Sequence, residues 1–465
     1  MNKYKKLITN TAVLALGTLG SKVLVFLLMP LYTRLLSSGE YSTADIISQT
    51  ANLLIPLISL GMYEAVFRFA MDKSIKCERV LTTGLYTTLA GGAVFALFLP
   101  LCLKIEYFDG YFYLVFLYVV CASVHYLVSR YTRAIGQNTL FALQGILSTA
   151  LNIGFNILFL IAFDMGVTGY VLSVIVSDFI TALFLFVKLK LFKSLSPKNF
   201  DKGLLKAMLK YSVPLIPTTV FWWVTNVADR YIIRGVLGDE INGLYAAAFK
   251  IPTILLLLSS VFTEAWQFSA VTEKDESDKS AHSEFFGVVF NSFQGMLFIS
   301  AAGLIAFSRL FARILFAPSY FEAWQYMPLL IMATVYSSLV TFMGSVYLVD
   351  KKSVHSFVTA LVGAVVNIVL NILLIGQYGA NGAAFATLVC YVVVYIIRAI
   401  TTRKMIPFDQ HTLKVVLNTL IIGVQSAFLV LKLPYEYIVQ ALAIVLIFAL
   451  NARPIIAGAI RVIKR

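Results

Sequence analysis

Apolar runs of 18 or more residues recur along nearly the whole chain, separated by short polar stretches rich in Lys and Arg. A helix needs about 20 apolar residues to cross the hydrocarbon of a bilayer. The runs are too continuous for the in–out alternation of a β-barrel, and an open sheet would leave backbone groups unpaired in lipid. The pattern therefore predicts an all-α, polytopic transmembrane bundle of about fourteen helices. The expected spans are 10–32, 41–62, 80–103, 111–131, 140–163, 166–187, 211–233, 242–264, 286–308, 325–348, 354–376, 380–400, 411–431 and 435–452.

Composition agrees. Hydrophobic residues make up 60% of the 465 and charged residues 13%. Mean hydropathy is +0.86. A soluble domain is roughly half apolar and a quarter charged. The net charge of +14 raises nucleic-acid binding as a function, but the basic residues cluster between apolar runs, which argues against it. With the N-terminus inside, 28 of the 37 Lys and Arg residues fall on the inner side and 7 on the outer side. That bias places both termini in the cytoplasm. Residues 1–6 are basic and lead into an apolar segment without a small-residue cleavage site, which reads as an uncleaved first helix. Cys77, Cys102, Cys121 and Cys390 have neither zinc nor CxxC spacing.

The two halves repeat. Arg34–Glu40 matches Arg234–Glu240, and Glu64-Ala65 matches Glu264-Ala265, all at an offset of 200. Asn152-x-x-x-Asn156 with Gly166-x-x-Gly169 matches Asn367-x-x-x-Asn371 with Gly379-x-x-Gly382, at offsets of 215 and 213. Four matches in one order define two parallel-related six-helix lobes, 1–195 and 196–405, and a terminal pair with a short tail at 406–465. Parallel repeats about the membrane normal are one transporter plan, with the substrate path between the halves.

Costly residues mark candidate function. Lys22 and Lys250 sit in mid-helix, where a charge costs about 2.5–3.5 kcal/mol on insertion scales, and are read as cations facing a wet cavity to hold an anion. Asn226, Asp229 and Arg230, beside Trp222-Trp223, are read as polar substrate contacts at the outer end of the seventh span, with Arg34 as the outer cation of the first half. Glu64 and Arg68 are spaced to pair along one helix and, with Glu264, are read as inner-end gating residues. His125 and Asp178 are read as buried hydrogen-bonding groups. Pro30, Pro56, Pro214, Pro217, Pro252 and Pro328 are read as helix interruptions that permit bending. No nucleotide-binding loop, HExxH, GxSxG or catalytic carboxylate pair occurs, so the chain is read as a non-enzyme without cofactor or metal. Its energy would come from a gradient of Na⁺, H⁺ or substrate.

The runs Pro30–Tyr41 and Ser59–Phe69 resemble the start of the polysaccharide-biosynthesis (O-antigen, Wzx-type) flippases. Tyr211–Pro217, Trp222–Tyr231, Gly243–Ile251 and Glu264–Gln267 are similar to the same family, which lies in the multidrug/oligosaccharidyl-lipid/polysaccharide exporter superfamily. The resemblance covers essentially the whole chain. It implies two six-helix lobes around a cavity, in a bacterial cell membrane. It further implies flipping of an undecaprenyl-diphosphate-linked oligosaccharide from the cytoplasmic to the outer leaflet by alternating access, alongside membrane lipids and a polysaccharide polymerase or other export machinery. Lys22 and Lys250 match, by depth, the cations that hold the diphosphate in related flippases. The rival readings are a peptidoglycan-precursor (lipid II) flippase and a cation-coupled multidrug exporter. A polysaccharide polymerase would bring a large outer loop, and no loop here is long enough.

Overall fold

The computed structural model describes the backbone of residues 28–272, 279–349 and 353–463, and their side chains except at 264–282, 348–353 and 454–463. Lys22 lies outside the described residues, as does the side chain of Glu264. Every regular element among the described residues is helical. By packing, the chain divides into Met1–Trp223 and Val224–Arg465. Residues 196–223, expected with the second half, therefore group with the first.

The first unit holds α1 (Met29–Leu35), α2 (Ser38–Ile58), α3 (Met62–Ala70), α4 (Cys77–Cys102), α5 (Phe112–Ala134), α6 (Asn138–Asn156, prolonged by a π turn at Ile157–Ala162), α7 (Gly166–Lys188) and α8 (Lys202–Ser212). α9 (Ile216–Leu237) follows, and its later part belongs to the second unit. Ser37 and Glu40 form a reciprocal cap at the start of α2, which satisfies backbone donors that a helix start leaves free. The repeated Arg-to-Glu segment is thus a helix–helix link. In the second half Arg234 closes α9 and pairs with Asp239 at 2.6 Å.

α8 was not expected from hydropathy, because it is amphipathic and carries Lys202, Lys206 and Lys210 on one exposed side. Its buried Met208 joins a core of Met62, Val66, Leu81, Leu127, Val128 and Leu185. This contact brings 196–223 to the first unit.

The second unit holds α10 (Asp239–Ala248), α11 (Pro252–Thr272), α12 (Lys279–Ala306), α13 (Ser308–Leu315), a 3₁₀ stretch Pro318–Tyr326, α14 (Met327–Val349), α15 (Ser353–Met405), α16 (Thr412–Val430) and α17 (Glu436–Ile463). Phe290 and Phe293 pack on Phe342 at 5.3 and 5.4 Å between ring centres, forming an aromatic core. α15 is broken at Gly379, whose φ of 60° and ψ of −149° lie in a region only glycine enters easily. Its spanning segment has 52 residues, which is about 78 Å of helix against about 30 Å of hydrocarbon. That length is enough for the two expected spans, 354–376 and 380–400, with the break at Gly379 between them.

Among the described residues nine helices are long and apolar enough to cross a membrane, or up to eleven if each bent pair is one span. Large apolar side chains such as Leu97, Ile372 and Val445 are exposed on them, as suits a lipid-facing surface. The protein is a multi-pass membrane protein.

The prolines mostly open helices rather than lie inside them, and Pro252 does so at a break within the expected span 242–264, where an interruption was expected. Only Pro56 among those singled out lies inside one. Pro30, Pro217, Pro252 and Pro328 sit in the first turns of α1, α9, α11 and α14, and Pro214 lies in the 3₁₀ turn before α9. A first turn tolerates proline because its N–H groups have no helical partner. The bends lie at breaks between helices. α2 and α3 meet at 55°, and α10 and α11 at 40°.

Arg309 of α13 clasps the C-terminal pair to this unit. It bonds both carboxylate oxygens of Glu436, at 2.5 and 3.1 Å, and lies 4.4 Å over the Trp324 ring. Arg309→Ala is expected to lower stability by about 2 kcal/mol. Arg309→Lys should recover only part of it, since an ammonium cannot bond both oxygens in one plane. Thermal unfolding of the purified protein in detergent checks both, and an Arg309→Lys variant as stable as wild type would contradict the bidentate role.

Candidate functional site

Two buried polar centres stand out, one in each unit.

In the second unit Asp229 lies in the interior of α9, with no exposed surface. Sequence reasoning placed it at an outer helix end. The helix instead runs on to Leu237, so the carboxylate falls within the packed core. A carboxylate there must be hydrogen-bonded to be tolerated. Tyr245 of α10 donates to it at 2.6 Å, Thr387 of α15 at 3.3 Å and the backbone N–H of Arg230 at 2.9 Å. Asn367 donates to Thr387 at 3.3 Å, and Asn371 donates to both the carbonyl and side-chain oxygens of Asn367 at 2.9 Å. The side-chain oxygen of Asn371 is buried without a hydrogen-bond partner among the described residues. Asn226 accepts from Tyr391 at 2.6 Å, and the Arg230 guanidinium lies 4.8 Å over the Phe249 ring. The sequence pointed to Asn226, Asp229, Arg230 and the asparagine pair, but not to Tyr245, Thr387 or Tyr391. Tyr245 lies in the family-like run Gly243–Ile251 but was given no role there, Thr387 and Tyr391 carry no motif, and only packing brings the three together with the acid and Asn226.

The repeated asparagines behave alike in both halves. Asn156 donates to the carbonyl and side-chain oxygens of Asn152 at 2.8 and 3.0 Å, as Asn371 does to Asn367. The sequence repeat thus specifies a repeated local structure.

In the first unit His125 of α5 lies between Asp178 of α7 and Gln144 of α6. Its Nδ1 is 2.7 Å from an Asp178 oxygen and its Nε2 is 2.8 Å from the Gln144 oxygen. Gln144 in turn donates to Ser129 at 3.1 Å. Gln144 sits in an apolar run and was not foreseen.

Lys250 lies not in mid-helix but in the break between α10 and α11. It is half-buried there, and its carbonyl accepts from the Thr253 hydroxyl. A broken helix exposes backbone polar groups at membrane depth, which occurs only where protein or a water-lined cavity receives them. The equivalent break after α2 is closed by Ser212, which donates to the Leu60 carbonyl at 2.7 Å.

Glu64 of α3 is paired by Arg130 of α5 at 3.1 Å. The expected intrahelical partner, Arg68, is exposed. Arg130 and Arg133 both sit over the Phe67 ring, at 5.7 and 5.8 Å. Packing of α3 on α5 thus supplies a better partner than the helix surface does. Arg34 is exposed at the end of α1. Asp72, outside the spans, is held below the usual carboxylate range by hydrogen bonds from Ser74. Among the described residues no group of three His, Cys, Asp or Glu side chains suits a metal ion.

Helical spans, broken helices and buried polar centres together define a transporter-like membrane fold. The model of the polysaccharide biosynthesis protein family matches residues 7–267, and the chain belongs to that family. Its fold is similar to that of a lipid II flippase, MurJ, in an inward closed conformation. That likeness has a TM-score of 0.63 and 15% identity, covering 95% of this chain and 98% of that one. It is also similar to an inward-facing multidrug resistance MATE family transporter of the MOP superfamily. There the TM-score is 0.58 and the identity 15%, covering 85% of this chain and 94% of the other. An uncharacterized membrane protein of Methanocaldococcus jannaschii is 23% identical over 256 residues. That match takes in 52% of this chain and 59% of the relative, so the chain spans about three fifths of the curated relative it matches. The family match and the fold likeness agree on a multi-pass membrane protein.

Proposed function

We propose that the protein is a flippase that moves an undecaprenyl-diphosphate-linked oligosaccharide, an O-antigen, capsule or exopolysaccharide unit, across a bacterial cell membrane. Movement runs from the cytoplasmic to the outer leaflet by alternating access. The observation that carries the reading is the pair of broken helices, α2/α3 and α10/α11, one in each half. Interrupted spans at matching places of two repeats mark substrate sites in transporters. Membership of the polysaccharide biosynthesis family supports a lipid-linked oligosaccharide as the substrate class.

In this reading the diphosphate lies near Lys250 and Lys22, with Arg34, Arg230 and Asn226 along the sugar path and the polyprenyl tail in lipid. Glu64, paired with Arg130, acts with Arg68 and Glu264 as the inner gate. The proposal keeps fourteen crossings with both termini in the cytoplasm, three more than the eleven candidate spans. These are the division of α15 at Gly379, α9 with its charged Asp229, Arg230 and Arg234, and the segment 10–32. Export machinery such as a polymerase would be a partner.

The coupling ion belongs to the same proposal. The Asp229 centre offers a carboxylate, amide oxygens and a hydroxyl, one amide oxygen being without a partner. Hard oxygen donors of this kind suit Na⁺ rather than a transition metal. When bound, Na⁺ would supply charge compensation for Asp229. Asn367, Asn371 and Thr387 would orient that carboxylate.

Lys250→Ala is expected to reduce export of surface polysaccharide by at least about tenfold, the equivalent of one lost charge-assisted contact, with the protein still folded and in the membrane. Normal export by this variant would remove Lys250 from the site. The likeness to a lipid II flippase favours one second reading, peptidoglycan-precursor flipping. Rescue of cells depleted of that activity would establish it over polysaccharide export, and transport of a lipophilic cation would favour the multidrug reading instead.

A further inference from the structure

The proposed transport reading makes no use of the His125 centre, yet its hydrogen bonds impose a definite chemistry. His125, Gln144 and Asp178 are 6%, 6% and 7% exposed, and each sits on a different candidate span. A carboxylate has no hydrogen to donate, and neither has an amide oxygen. With Asp178 at Nδ1 and the Gln144 oxygen at Nε2, both ring nitrogens must donate. The pair is then imidazolium and carboxylate, with no net charge.

Turning the Gln144 amide by half a circle exchanges its two ends. Its NH₂ then donates to Nε2, and its oxygen accepts from the Ser129 hydroxyl, which now donates instead of accepting. The ring is neutral and keeps Nδ1–H on Asp178. Every hydrogen bond survives, and the two arrangements differ by one proton, taken from or released to water. A buried imidazole needs a partner at each ring nitrogen, whether neutral or charged. A buried amide on its far side, itself anchored on a hydroxyl, gives it two satisfied states.

We propose that His125 is a proton-exchange site of the first unit. It holds one proton when Gln144 presents oxygen and releases it when Gln144 presents its amine, so that a proton accompanies the transport cycle proposed above. Loss of the proton leaves one net negative charge among the spans, and an unbalanced charge at that depth is costly. The charge change therefore favours different packings of α5, α6 and α7.

The surrounding groups leave this exchange to the pair. Tyr118, Cys121 and Tyr126 of α5 are within electrostatic reach of Asp178, and Tyr170 of α7 faces Tyr118. Tyr63 of α3 packs on Tyr126. Glu64 is bound to Arg130, Asp45 of α2 takes a bond from Gln49, Tyr86 of α4 donates to the Leu195 carbonyl, and α6 carries no titratable residue.

The test uses the full chain in nanodiscs, labelled with ¹⁵N-histidine and titrated from about pH 5 to about pH 9, the range in which imidazoles change charge. His125→Gln assigns the ring signals among the four histidines. His125 is expected to pass from imidazolium to neutral imidazole. Asp178→Asn is expected to weaken its proton binding at least about tenfold, one pH unit. Gln144→Met, which removes the amide at similar size, should abolish the imidazolium's second partner and change the Nε2 signal. His125 fixed in one protonation state throughout, or unmoved by Asp178→Asn, would overturn the proposal. Export measured in parallel separates the readings. A titrating His125 in a chain that exports nothing refutes transport and leaves the proton site. A fixed His125 in an exporting chain refutes the proton site alone.

Discussion

Replacing Gly91 with alanine is expected to destabilise the first unit by about 3 kcal/mol, whereas the same change at Gly92 is expected to stabilise it by about 0.5–1 kcal/mol. Both glycines lie on α4, one residue apart. A Cβ on Gly91 would stand 2.0 Å from the carbonyl oxygen of Ile58, the last residue of α2. Neither partner can yield by a side-chain rotation, because the contact is backbone against backbone. Helix α4 or the α2/α3 break must move, and the break is held by the Ser212 hydroxyl on Leu60. A Cβ on Gly92 would meet only the Val120 methyl at 3.5 Å, an ordinary contact. It would also reduce the entropy that a helical glycine loses on folding, about 0.5–1 kcal/mol. Thermal unfolding of the two single variants in detergent, followed by tryptophan fluorescence, reads the difference. Equal melting temperatures would show that the close approach does not constrain the fold.

Asp229→Ala is expected to cost about 3–5 kcal/mol and to abolish export. The change removes the acceptor for the fully buried hydroxyl of Tyr245 and for Thr387. An unpaired buried donor costs about 1–3 kcal/mol, and removing one member of a buried ionic cluster typically costs about 3–5 kcal/mol. Asp229→Asn keeps an acceptor for Tyr245 and is expected to fold with a much smaller loss. It should nevertheless lack any stabilisation by Na⁺ that wild type shows over K⁺ at equal ionic strength. The decisive comparison is the melting temperature of wild type and Asp229→Asn in Na⁺ and in K⁺. A Na⁺ effect that persists in Asp229→Asn would remove the acid from the ion site.

The hydropathy pattern was enough to place the nine to eleven candidate spans among the described residues. Burial of backbone polar groups inside helices is obligatory in lipid, so a long apolar run has one outcome. It was not enough to locate α8 or α13. Both are short and amphipathic, and their apolar faces have meaning only against the surfaces they cover. Lys250 was visible as a costly charge, and Pro252 as an interruption of its span, but the place of Lys250 within the break was not read. Glu64 finds Arg130 across a helix interface rather than Arg68 along its own helix.

The sequence by itself determined a helical multi-pass chain with an internal repeat, including the asparagine pairs that adopt one local structure in both halves. Those features depend on short-range order and on the length of apolar runs. Only the tertiary structure decided which polar groups meet. Tyr245, Thr387 and Asp229 come from three helices, and His125, Gln144 and Asp178 from another three, separated along the chain by up to 158 and 53 residues. No local spacing encodes such meetings. They are fixed by the requirement that a carboxylate or imidazole kept from water be surrounded by hydrogen-bond partners, and packing alone chooses those partners.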